Sequence, residues 1–179
     1  MAQRKMRLAR GQRRRIPFRS VNRKDEPGHD PQLQRHHLLP LQLLSQHCFG
    51  PMFDAIGANH VGFDDFRKNG LLLPATEVAA VSTGRPMHRG PHGIYNKMVI
   101  ERVGCIEADW SEQKLSDTQA ALEQALMRLE LLQGALRRRL LDATRKSFPL
   151  NRRDPLRAPA DFSDMDAMAD ALWGETQDV

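Results

Sequence analysis

Between residues 109 and 147 the chain contains no proline, and Leu115, Leu122, Leu129 and Leu136 recur seven apart. Leu126, Leu132 and Leu140 fill the adjacent face. An apolar repeat of this period belongs to a helix, not a strand, so residues 109–147 are expected to form a long amphipathic helix. Asp109 and Glu112 stand at its start, while Arg137, Arg138, Arg139, Arg145 and Lys146 stand at its end. That order complements the helix dipole. Thr118 and Arg139 interrupt the second heptad position. The leucine stripe therefore reads either as a face packed on its own domain or as the seam of a homodimer.

A chain of 179 residues fits one domain with extensions. Its apolar fraction is 40% and its aromatic fraction 6%, so the core must be mostly aliphatic. The net charge of +5 is unevenly spread: residues 1–24 hold ten Lys or Arg and no acid, leaving 17 basic against 22 acidic residues elsewhere. Residues 1–30 are thus expected to form a basic, flexible arm. Such an arm attracts phosphate backbones, with Arg13, Arg14 and Arg15 at its centre; a solubilising tail or a transit peptide are the blander readings. Residues 148–179 open with Pro149, Pro155 and Pro159 and read as a linker followed by an acidic amphipathic tail. That tail either docks on the core or occupies the groove meant for nucleic acid.

No apolar run nears the roughly 20 residues of a membrane helix, and no secretory signal core is visible. Cys48 and Cys105 are far apart and unpaired by motif, which suits a reducing compartment. A cytoplasmic protein is expected, with export by a route that needs no N-terminal signal left open.

The chemistry is concentrated in residues 31–107, which carry six of the seven histidines. His29, His47 and His60 are read as surface or satisfied core residues. His36 and His37 are adjacent, and in a strand adjacent side chains point to opposite faces. His88 and His92 are four apart, a spacing that sets two imidazoles on one face of a helical turn, close enough for one metal ion. Pro91 would suit the first turn of that helix. Residues 69–74, NGLLLP, read as a turn and a brief strand. A small hairpin followed by a helix is the resulting picture.

From His36 to Val103 the chain resembles the AHH family of HNH nucleases. The likeness rests on three blocks in order: His36-His37-Leu38-Leu39-Pro40, then Asn69-Gly70-Leu71-Leu72-Leu73-Pro74, then His88, His92 and Tyr95. Arg35 stands where the family name records alanine. The resemblance implies an α+β fold, a small ββα-metal finger core embedded in a mostly helical chain with a long C-terminal helix. It also implies that His36, His88 and His92 hold one divalent metal ion, that His37 is the general base, and that Asn69 pins the loop and fixes its geometry. Tyr95 is expected to pack or hydrogen-bond near the site.

Three imidazoles favour zinc, nickel or manganese over magnesium, which prefers oxygen. Arg35, Arg85 and Arg89 are candidates to touch phosphate. The implied activity is a metal-dependent endonuclease, DNA favoured over RNA, with little sequence preference because no base-reading motif is present. Many AHH-like domains are bacterial toxins, and that role would imply an immunity protein as partner. The alternative is a non-catalytic nucleic-acid binder with a structural zinc and a helical dimer. A third reading, an adaptor built on residues 109–147, requires the histidine pattern to be accidental.

Overall fold

A computed structural model describes residues 14–142, 150, 154–156 and 167. The expected acidic amphipathic helix of the tail, and Arg13, lie outside the described residues. Among those described, two strands form one antiparallel pair, β1 (Leu33–His37) and β2 (Gly70–Pro74). The register sets His36 opposite Leu71 and His37 opposite Gly70. The fold class is α+β.

The 32 residues between the strands run through two short 3-10 turns, Leu41–Ser45 and His47–Phe49, and three short helices, α1 (Gly50–Ile56), α2 (Ala58–Val61) and α3 (Phe66–Asn69). Local chemistry sets their limits. Pro51 sits in the first turn of α1, where its missing N–H costs nothing. Gly62 ends α2 in the left-handed conformation, φ +78°, which glycine adopts freely. The Asp65 side chain accepts the Arg67 N–H at the start of α3. After β2, Thr76 caps α4 (Glu77–Thr83) by accepting the Ala79 N–H.

Two long helices follow, α5 (Gly93–Gln113) and α6 (Thr118–Leu141), and they pack on each other. The single helix expected over residues 109–147 is therefore divided. Residues 114–117 turn, and the Asp117 carboxylate accepts the N–H groups of Gln119 and Ala120 to start α6. Leu115, the first member of the leucine repeat, falls in that turn and is 84% exposed. Leu129, Leu132, Leu136 and Leu140 are buried in the chain's own core with Val99, Val103 and Ile106 of α5. The stripe weighed as a dimer seam is thus covered from within.

The boundary expected at residue 30 is also moved. Phe18 is buried, Pro17 forms a bridge to Asp65, and the Phe66 N–H donates to the Ile16 carbonyl. Asn22 reaches the carbonyls of Asp30 and Leu33. Residues 16–22 thus belong to the domain, because a buried aromatic ring and an amide bonded to two backbone carbonyls hold a segment that composition alone would leave free.

Candidate metal centre

Strand alternation divides the His36–His37 pair. His36 points inward, 2% exposed, and meets the rings of His88, His92 and Tyr95 at 5.0, 5.6 and 4.9 Å between centroids. His37 is half-buried on the other face, its ring lying flat on that of Phe18.

His88 and His92 reach the site by a route other than the expected helical turn. His92 is the residue before α5, and Gly90 takes φ +87° between the two histidines. His88 lies outside any helix or strand and donates its backbone N–H to the Pro74 carbonyl at the end of β2, 2.7 Å. The two rings still come within 4.4 Å. Their convergence comes from a glycine turn and a strand-edge bond, not from helical period.

One nitrogen from each of His36, His88 and His92 lies within 4.8 Å of the others. Nitrogens bonded to one tetrahedral ion at about 2.1 Å lie about 3.4 Å apart, so the rings need to draw in by up to about 1.4 Å. Three features fit the triad to a metal. Nε2 of His36 is buried without a hydrogen-bond partner, which buried polar atoms seldom tolerate. Nδ1 of His88 donates to Gln34 Oε1 at 3.1 Å, and Nδ1 of His92 donates to the Leu150 carbonyl at 3.3 Å. Those bonds direct the protons to Nδ1 and leave each Nε2 lone pair free. All three rings are also held neutral. Burial pushes His36 well below the usual imidazole value, aided by His88 and His92; burial and His92 lower His88 to about 4, and burial lowers His92. A neutral imidazole is the form that binds metal.

Tyr95 closes the floor. It is fully buried and donates its hydroxyl to the Leu38 carbonyl at 2.6 Å. Burial raises its pKa well above 10, so it stays a phenol and positions the strand end.

His37 is shaped by a stack. Its ring lies 3.5 Å from Phe18 with 4° between planes, and Phe66 meets Phe18 edge-on at 5.2 Å. Gly70, the register partner of His37, is required beneath this stack because a Cβ there would overlap the Phe66 ring. Burial lowers His37 to about 4, opposed by the Asp64 carboxylate and reinforced by Arg35. It is therefore neutral near pH 7 and able to accept a proton.

Asn69 is fully buried and clamps Leu39 from both sides. Its Oδ1 accepts the Leu39 N–H at 2.7 Å and its Nδ2 donates to the Leu39 carbonyl at 3.0 Å. Its own carbonyl accepts the Leu38 N–H, and Gln133 donates to its Oδ1. These bonds fix the two residues after His37, so Asn69 positions the chain.

The proposed phosphate contacts are scattered. Arg35 is exposed and donates to the Phe18 carbonyl, Arg14 is exposed, and Arg15 is paired with Asp64. Arg89 is exposed and Arg85 half-buried, on the loop that carries His88. Four residues near the site are absent from the sequence reading: Phe18, Gln34, Leu150 and Asp154. Gln34 alone had a local signal, since it lies two before His36 on one strand and so shares its face.

Comparison with known proteins bears on this geometry directly. Residues 17–135, about two thirds of the chain, match the model of AHH, a nuclease family of the HNH/ENDO VII superfamily with conserved AHH. The chain belongs to the AHH nuclease family. No curated protein and no solved structure matches it. Nuclease activity on nucleic acid follows from the family, and nucleases of this superfamily use a divalent metal, which the triad could hold. The match begins at the Pro17–Phe18 edge of the folded region, in keeping with the place of Phe18 at the site. The AHH signature reads Arg35-His36-His37 here. Alternation puts Arg35 on the His37 side of the strand, exposed, where a long side chain fits without entering the metal centre. Among the described residues no helix is long and apolar enough to cross a membrane.

Proposed function

We propose that this AHH nuclease is a metal-dependent endonuclease that hydrolyses phosphodiester bonds, with DNA as the favoured substrate and little sequence preference. The observation that carries the reading is the division of the histidine pair, His36 facing His88 and His92 while His37 lies apart on Phe18. A purely structural ion needs the first set and has no use for the second.

His36, His88 and His92 would hold the ion, and a three-nitrogen set favours zinc, nickel or manganese over magnesium. When bound, the metal supplies positive charge to the phosphate and the leaving oxygen. His37 takes a proton from the attacking water, whose oxygen forms the new bond to phosphorus as the opposite P–O bond breaks. Asn69 and Tyr95 hold residues 38 and 39 so that the His37 ring keeps its place. The exposed cations Arg14, Arg35 and Arg89 favour a polyanionic backbone without reading bases.

The test is plasmid nicking by wild type and His37→Ala after chelation, with zinc, nickel, manganese or magnesium restored singly. Nicking by wild type alone, with DNA binding kept in both, is the expected result. Tight plasmid binding without nicking under every metal would make the chain a non-catalytic binder.

A further inference from the structure

The metal centre is completed by a segment that lies beyond the family match. Asp154 is 4% exposed and Leu150 is 1% exposed, both past residue 135, where the match ends. One oxygen of Asp154 accepts the Met87 N–H at 2.9 Å and the other accepts the Leu156 N–H at 3.0 Å. Met87 immediately precedes His88, whose own N–H is taken by Pro74. Two successive backbone N–H groups are therefore held from opposite sides, by the end of β2 and by Asp154. This matters because residues 85–92 have no helix or strand to fix them, and glycines with positive φ stand at positions 84 and 90. The Leu150 carbonyl accepts from Nδ1 of His92, so the same returning segment touches the supports of two of the three ligands.

We infer that Asp154 is a positioning residue for the metal centre, locking the backbone beside His88 so that the triad is formed before the ion arrives. The inference rests on the reading of His36, His88 and His92 as ligands. A buried carboxylate held by backbone amides is costly to desolvate, and the geometry it secures here is that of His88.

The experiment titrates cobalt(II) and zinc into the full-length metal-free protein, with the cobalt visible band recording coordination. Wild type, Asp154→Ala, Asp154→Asn and His88→Ala are compared, each with a melting curve before metal. Loss of an outer support of this kind weakens metal affinity by about tenfold or more, which is the expected result for Asp154→Ala, with a changed cobalt band. Asp154→Asn keeps an acceptor for Met87 and should lose only about threefold, since neutral acceptors are weaker than charged ones. A merely structural role would lower the melting temperature and leave both affinity and band of the folded chain unchanged. Wild-type affinity and band in Asp154→Ala, with binding lost in His88→Ala, overturns the inference and leaves the ligand set standing. Undiminished binding in His88→Ala overturns the ligand set itself. If Asp154→Ala does not fold, wild-type affinity in Asp154→Asn is the overturning result.

Discussion

The imidazole of His37 lies parallel to the ring of Phe18, 3.5 Å away and 4° from coplanar. A base that must take a proton at one point needs a fixed plane, and a flat aromatic shelf supplies one without using either ring nitrogen. Stacked aromatic pairs are worth about 0.5–1.5 kcal/mol, which as a loss of barrier lowering is up to roughly tenfold in rate. Phe18→Leu should keep the site apolar at small cost in stability, yet lower kcat by up to about tenfold with KM little changed. Steady-state cleavage kinetics check this, and an unchanged kcat would deny Phe18 its positioning role.

Asn69 should matter to folding as much as to activity. Replacing it by alanine leaves the Leu39 N–H and carbonyl without their partner inside the core. Each buried polar group so stranded costs about 1–3 kcal/mol, so Asn69→Ala should lose on the order of 3 kcal/mol. Asn69→Asp should be at least as damaging, because it turns a carboxylate oxygen towards the carbonyls of Leu39 and Phe63. Urea unfolding of the three proteins measures it, and an aspartate variant as stable as wild type would contradict the clamp.

What could be read from the chain divides by the range of the interaction. The strand pair, the inward and outward histidines and the grouping of His36, His88 and His92 were legible, since alternation and short motifs are local. The break between α5 and α6 was missed: Ser116-Asp117-Thr118 carries a cap signal, but the leucine repeat runs straight across it and masks the cap. The support of His92 by Leu150 and of Met87 by Asp154 spans 58 and 67 residues. No periodicity or motif encodes a contact that exists only after the returning segment has docked. Phe18 was hidden differently: it sits among arginines, so its segment read as an arm until burial of the ring outweighed the charge around it.

The metal-free protein should lose stability as pH falls from about 6.5 towards 4. His36, His37, His88 and His92 all have folded-state pKa values below the unfolded value of 6.5, two of them at about 4. In that window the unfolded chain binds more protons than the folded one, so acid favours unfolding. Above about 6.5 these groups are neutral in both states and contribute no slope. Asp154, whose pKa is raised by burial, works in the opposite direction, but as one group against four. Denaturant midpoints from pH 4 to 8 should therefore rise to a plateau near 6.5, and His88→Ala should flatten the rise.

The sharpest division is between the two adjacent histidines under metal. An ion that binds the folded chain alone stabilises it by about 2.7 kcal/mol at one hundred times Kd, which for a chain of this size is roughly 5–10 °C in melting temperature. Zinc should raise the melting temperature of wild type by that order, and EDTA should reverse it. His36→Ala, His88→Ala and His92→Ala should each abolish the shift, since each removes one of three nitrogens within 4.8 Å. His37→Ala should keep the whole shift and lose nicking, because its ring stands on Phe18 on the far face of β1. A metal shift lost in His37→Ala but retained in His36→Ala would exchange their roles, and the inward burial of His36 would then have no chemical use.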